Sequence, residues 1–209
     1  MTYSTETRLL IIRHGQTTDG SEPRCHGWAD LALSDEGVKQ IERLARYLRH
    51  QPIDALYASD LTRSQHSARI LATGRNLSPV ALPALREINF GDLEGCLVDE
   101  LPQRFPATIT AWRANPATCH FPNGESFQSV KQRVLPTIER LLAQHAGSTI
   151  ALALHSGVNR VILGWALGLP DEYLVRLEQH HGCLNIVTFG PLHPRLVLHN
   201  FVPEPDHGR

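Results

Sequence analysis

The sequence is short of net charge, of long apolar runs and of paired cysteines. Twenty lysines and arginines stand against 21 acids, a formal net charge of -1 with histidine neutral. A nucleic-acid or anionic-membrane surface needs a basic surplus, so neither partner is expected. No apolar stretch approaches the length of a membrane span, and the leading MTYSTETR lacks the apolar core of a secretory signal. Cys25, Cys96, Cys119 and Cys183 lie far apart, with no C-x-x-C among them. That spacing suits reduced thiols rather than a disulfide framework or a zinc site, and a cytoplasmic location is expected. Internal repeats and low-complexity tracts are absent.

Histidine, in contrast, is plentiful, with twelve copies. The adjacent pair His180-His181 looks like a metal handle. Sequence neighbours point apart on a helix or strand, however, and no H-x-x-x-H or H-x-H accompanies them. No metal and no cofactor are expected.

With 209 residues, 42% of them hydrophobic, the chain can bury one sizeable core. The segments 8–13, 54–59, 148–155, 184–189 and 195–201 read as strands. The first and third are nearly continuous aliphatic runs, as in strands covered on both faces. Helical periodicity fills 34–51, 62–75, 124–147 and 157–170, with Ser34 as an N-cap and a kink expected near Pro136. Residues 89–123 carry Pro102, Pro106, Pro116 and Pro122 with Phe90, Phe105, Trp112 and Phe121, and their periodicity is weak. They read as an irregular cap inserted into a single domain spanning 1–209. The alternation predicts an α/β fold, a three-layer α/β/α sandwich around a mostly parallel sheet.

On that scaffold the polar residues converge. In LIIRHGQTTDG, Arg13 and His14 end the first strand. Arg63 opens the helix after the second strand, and His155 ends the ALALH strand just before Ser156-Gly157 and another helix. Ligands of open α/β sheets bind at the carboxyl ends of the strands. Two arginines, two histidines and two helix starts at one rim suit a phosphate dianion. A neutral imidazole is a competent nucleophile toward phosphorus when its other nitrogen is held by an acceptor. Glu87, in an apolar segment that would raise its pKa, is the expected proton donor, with Glu94 and Asp92 as alternatives. Arg13, Arg63 and a cationic His155 are expected to neutralise developing charge without a metal. Each residue also has a plain reading: Arg13 as a strand-end charge, Glu87 as a surface acid paired with Arg86, His155 as a core histidine, Trp112 and Phe121 as packing.

The fragments RHGQT, GWADLALSDEG, YASDLTRSQHSA, LREINFGDLEG, PNGESF and LHSGVNRVILGWALGLP occur in this order. Together they resemble the histidine phosphatase (phosphoglycerate mutase-like) superfamily from about residue 8 to 201. The resemblance implies that His14 is phosphorylated, that Arg13, Arg63 and His155 hold the phosphoryl group, and that Glu87 is acid and then base. It also implies that Gln16, Thr17 and Gly27 line the substrate side and that the N–H after His155, that of Ser156, binds an oxygen. Two positions depart from the pattern: Gln16 replaces a frequent glutamate, and Gly20 replaces a common phosphate-touching asparagine.

Three functions fit this frame: a phosphatase, a mutase and a non-catalytic phospho-ligand binder. The intact His14, Arg63, His155 and Glu87 set argues against the last. The absence of lysine between Lys39 and Lys131 argues against a mutase, whose bisphosphate needs further cations. AWRANPATCHFPNGESFQSVKQRV resembles the cap of α-ribazole phosphatases of cobalamin synthesis, although broad-specificity phosphatases share much of it. The expected substrate is a small phosphate ester with a flat apolar body against Trp112, such as α-ribazole 5′-phosphate, and a homodimer stays open.

Overall fold

Period-two alternation along two strands sorts the core into two layers. In β1 (Thr7–Arg13), Leu9 and Ile11 join Ile150, Leu152 and Leu154 of β4 (Thr149–Leu154) in one hydrophobic cluster. Leu10 and Ile12 join Ala151 and Ala153 in the other. All nine side chains are fully buried, as strands covered on both faces require. The computed structural model describes residues 5–19 and 22–204.

Helices supply both covers. α1 (Asp35–Tyr47) starts at the predicted cap: Ser34 Oγ accepts from the Gly37 N–H at 3.1 Å, and Asp35 and Glu36 occupy the electropositive first turn. With α2 (Thr62–Ala72) it buries Ile41, Leu44, Ala68 and Leu71 on the Leu10 face. The Leu9 face is covered by α5 (Phe127–Gln144) and α6 (Ser156–Leu167), through Val130, Val134, Ile138, Val158 and Ile162. Their predecessors in the chain, α3 (Leu101–Arg104) and α4 (Pro106–Ala114), lie within the segment expected to be irregular. Pro102 and Pro106 sit in the first turns of those helices, where a missing N–H costs nothing, so prolines that suggested disorder of pattern are helix starters. Pro136 lies inside α5, and the helix continues through it; the residue one turn back whose carbonyl loses its N–H partner, Gln132, is exposed.

The sheet is completed by β2 (Ala55–Ala58), β3 (Val80–Ala81), β5 (Leu184–Phe189) and β6 (Arg195–Phe201), in the order β3-β2-β4-β1-β5-β6. The first four strands of that order are mutually parallel, and β5 and β6 are antiparallel additions. This is the predicted three-layer α/β/α arrangement with a mostly parallel sheet. The two-residue β3 escaped notice because it is too short to show a period. Among the described residues no helix is long and apolar enough to cross a membrane.

Parallel register is what assembles the rim. Arg13 pairs with Leu154 and Ala58 with Ala153, so the residues that follow β1, β4 and β2 emerge side by side. They are His14, His155 and Ser59. The His14 N–H extends the ladder by one bond, to the Leu154 carbonyl at 2.9 Å. The turn after His14 lies directly on the start of α1. A Cβ on Gly15 would stand 2.2 Å from the Gly37 carbonyl oxygen, and one on Gly37 would stand 2.0 Å from that of Gln16. Two glycines back to back let the chain leave the sheet at this point with no room to spare.

Candidate active site

A cavity of about 320 Å³ opens at this rim, walled by Arg13, His14, Gln16, Thr17, Arg63, Glu87 and Ser156, with His181 and Asp19. His14 is 6% exposed and Arg63 only 1%. The His14 ring meets the ring of His155 edge-on, with centroids 5.2 Å apart. Thus Arg13, His14, Arg63, Glu87 and His155 are brought together, with Gln16, Thr17 and Ser156 beside them.

Two hydrogen bonds fix the His14 proton. Nδ1 lies 2.7 Å from the carbonyl oxygen of Gly15, which can only accept, so Nδ1 carries the hydrogen. Nε2 lies 3.3 Å from Arg63 Nε, which can only donate, so Nε2 presents its lone pair. Burial, then the neighbouring His155, Arg63 and Arg13, pushes the imidazole well below the ordinary histidine pKa, so it is neutral. Arg63 is itself held from behind by the carbonyls of Ala29 at 2.7 Å and Gly27 at 2.6 Å.

Arg13 donates from Nη1 to the Gln179 carbonyl at 2.6 Å, and its Nη2 lies 2.8 Å from His181 Nε2. Burial brings this guanidinium down to about 10, against the pull of Glu87. It remains cationic at neutral pH. Its Nε is buried and makes no hydrogen bond among the described residues, and the same is true of His155 Nδ1. Buried donors without acceptors are uncommon, and here an incoming anion would supply the acceptors.

His155 corrects one expectation. It is not the cation anticipated from the sequence. Burial, then Arg63 and Arg13, pushes it well below the ordinary histidine range, so the ring is neutral. Its Nε2 lies 2.7 Å from Ser59 Oγ. That hydroxyl accepts from the Leu61 N–H at 3.3 Å and has its own hydrogen to give; donated to Nε2, it places the ring proton on Nδ1.

Glu87 is 4% exposed and is no surface acid. Arg86 pairs instead with Asp60, through two bonds of 2.7 and 2.6 Å. The Glu87 carboxylate accepts from the Gly157 N–H at 3.0 Å and from the Ser156 hydroxyl at 3.0 Å, so the first turn of α6 holds it. Its backbone is gripped from the opposite side. Arg133 of α5 donates to the carbonyls of Ala84, Arg86 and Glu87 at 2.7–2.9 Å, and forms a two-bond pair with Glu125. Five donors of one guanidinium are thereby spent on the segment that carries Glu87 and on its partner.

The alternative acids have other tasks. Glu94 accepts from the backbone N–H groups of Gly27, Trp28 and Phe90 at 2.9–3.1 Å. Asp92 takes the Asn123 amide. Gly27 does not wall the cavity: its N–H is bound by Glu94 and its carbonyl by Arg63, and a Cβ there would lie 1.9 Å from the Ile88 oxygen. It is corrected from a substrate contact to a support of Arg63. Gly20 lies outside the described residues.

Trp112 also stands apart from the phosphate-sized cavity. It lines an adjoining chamber of about 440 Å³, mostly apolar, which shares Arg24, Phe90 and Ser156 with the first. There Trp112 stacks on Phe121 with centroids 5.1 Å apart and packs beside Phe127.

His181, Asp19 and His26 are cavity residues the sequence did not flag. Asp19 bonds both the Thr17 hydroxyl and His26. The neighbours in the His180-His181 pair do point apart: His180 binds Asn200 at 2.8 Å while His181 faces Arg13. Among the described residues no cluster could hold a metal ion, and all four cysteines are free and buried.

Three neutral imidazoles, His14 and His155 buried and His181 half-buried, have a consequence for stability. His14 and His155 lie well below their ordinary pKa, and burial and Arg13 bring His181 to about 3. Below about pH 6.5 the unfolded chain protonates these rings and the folded chain does not, so stability falls as pH falls. Each ring contributes a slope of roughly 1.4 kcal/mol per pH unit at most. Urea titrations between about pH 7.5 and 5 should show the loss, with a shallower slope in His181→Gln. An identical slope in the variant would contradict the assignment of His181 as a neutral ring in the folded chain.

A sequence profile of the histidine phosphatase superfamily (branch 1) matches residues 9–202. The adenosylcobalamin/α-ribazole phosphatase of Salmonella typhimurium is 32% identical over 184 residues, covering 86% of this chain and 89% of that protein. The α-ribazole phosphatase of Shigella flexneri superposes with a TM-score of 0.83 at 30% identity, over 93% of this chain and 96% of that one. A mycobacterial glucosyl-3-phosphoglycerate phosphatase gives a TM-score of 0.84 at 26% identity, over 93% and 99%. With the profile spanning nearly the whole chain, the protein belongs to the histidine phosphatase superfamily, branch 1.

Proposed function

We propose that the chain is a phosphomonoesterase working through a phosphohistidine at His14. The observation that carries this reading is the pair of hydrogen bonds that puts the His14 proton on Nδ1 and leaves Nε2 unprotonated, its lone pair turned toward Arg63. In the first step Nε2 attacks phosphorus, the ester P–O bond breaks, and Glu87 in its acid form gives its proton to the leaving oxygen. In the second step water attacks the phosphoryl group, its proton passes to Glu87, and the P–N bond breaks to return free His14 and inorganic phosphate. Arg13, Arg63 and the Nδ1–H of His155 bind the phosphoryl oxygens, with the Ser156 N–H, which has no intrahelical acceptor, as a further donor. Gln16 and Thr17 border the phosphoryl group. Rapid quench with labelled substrate tests this: the label should be on His14, stable in base and lost in acid. Label on another residue type, or near-normal turnover in His14→Ala, would overturn it.

Glu87→Gln should slow alkyl esters by roughly two to four powers of ten while hardly affecting the cleavage step with 4-nitrophenyl phosphate, whose leaving group needs no proton. Arg133→Lys cannot make the same five bonds and should show the same leaving-group dependence in weaker form. Equal losses on both ester classes would remove Glu87 as the acid and Arg133 as its positioning residue.

The adjoining chamber supports a substrate whose alcohol carries a flat, apolar body. The likeness to α-ribazole phosphatases supports α-ribazole 5′-phosphate as the leading substrate, and the four free, buried thiols suit a cytoplasmic protein. Stacking on an aromatic wall is worth about 1–3 kcal/mol by analogy with single-stranded nucleic-acid sites, or roughly ten- to a hundredfold. kcat/KM should therefore favour α-ribazole 5′-phosphate over ribose 5-phosphate by that factor, and Trp112→Ala should erase most of it. Equal rates on the two esters would make the wall mere packing and the enzyme a generalist.

A further inference from the structure

The leaving-group chamber is not uniformly apolar. Beside its aromatic residues Trp112, Phe121 and Phe127 stands one half-buried cation that makes a single hydrogen bond among the described residues: Arg160. Arg160 lies on α6, one turn beyond Ser156, whose hydroxyl touches the Glu87 carboxylate. Residues four apart on a helix share a face, with Cβ atoms about 5–6 Å apart. A ring attached to an oxygen at Glu87 would extend along that turn toward Arg160.

The donors of Arg160 are mostly uncommitted. Its Nε donates to the Leu177 carbonyl at 2.9 Å, which anchors the guanidinium, and among the described residues Nη1 and Nη2 have no hydrogen-bond partner. The other cation of the wall, Arg24, is already engaged, with the Gly95 carbonyl at 3.0 Å and with Glu22 at 3.3 Å. Burial pulls Arg160 below the usual arginine range, opposed by the charge of Glu87, so the guanidinium is partly stripped of water. A half-buried planar fork whose N–H groups the protein leaves open selects ligands that bring an acceptor over those that do not.

We propose that Arg160 is the specificity-determining residue of this chamber, donating to a hydrogen-bond acceptor on the far edge of a flat leaving group. This rests on the phosphomonoesterase reading. The acceptor is a neutral ring nitrogen or a carboxylate, and the two are separated by experiment. Benzyl phosphate, the pyridylmethyl phosphates and the carboxybenzyl phosphates share a size and differ in the acceptor. In the wild-type enzyme the best isomer of an acceptor-bearing ester should exceed benzyl phosphate in kcat/KM by about tenfold or more. Preference for the pyridyl esters identifies a neutral acceptor, and preference for the carboxylates an anion. In Arg160→Met the ratio to benzyl phosphate should fall to about one, and Arg160→Lys should restore part of any carboxylate preference. Wild-type ratios near one would overturn the proposal without any variant, and so would ratios that survive in Arg160→Met. If none of the esters is hydrolysed, it is the phosphatase reading that fails. Calorimetric binding of the matching phosphonates to the wild-type protein then still measures the ratio and decides on Arg160.

Discussion

His14 donates from Nδ1 to the carbonyl of its own neighbour and accepts at Nε2 from a buried arginine. The chemistry of the pocket depends on this. An imidazole with the opposite tautomer would offer a proton where phosphorus must arrive, and an imidazolium would offer no lone pair. Gly15 provides the acceptor within one residue, so the tautomer is set by the local turn and needs no distant partner. That turn requires the close approach of Gly15 and Gly37, and hence the placement of α1 against the end of β1.

The rest of the architecture delivers groups to that ring. Parallel register sets His14 level with His155, with Ser59 one residue back on the neighbouring strand. Carbonyls of the 27–29 loop hold Arg63, and Glu94 holds that loop through its N–H groups. Arg133 and the first turn of α6 grip Glu87 from opposite sides. The charges are thus supported by backbone dipoles and by one another. Few of them could be removed without leaving a buried polar group unpaired, which costs more than the lost bond itself.

Much of this was legible in the sequence, and the physical reason differs by element. β1 and β4 announce themselves as doubly covered strands because burial on both faces leaves no polar position. Arg13, His14 and His155 stand out because they end those runs. Arg63 was legible as the first turn of a helix, although not as a residue buried to 1% exposure. The helices α3 and α4 were hidden by prolines, whose meaning reverses between a helix interior and its first turn. The neutral state of His155 was hidden too, since charge depends on burial and on neighbours far apart in sequence. Arg133 carries no local signature, and His181 stood out only as half of the His180-His181 pair. Arg133 reaches Glu87 across 46 positions, and a single sequence gives no hint of that contact. Arg160 had one cue, its place in the first turn of the helix predicted over 157–170, just after Ser156.

The central claim is a statement about two nitrogen atoms. Nitrogen-15 NMR of the histidine side chains in the free wild-type enzyme, assigned by comparison with His14→Gln, reads their protonation directly. The account predicts that at neutral pH the His14 Nδ1 carries a proton and Nε2 is unprotonated, and that this persists below the ordinary histidine pKa. A protonated Nε2, in either the opposite neutral tautomer or the imidazolium, would contradict it.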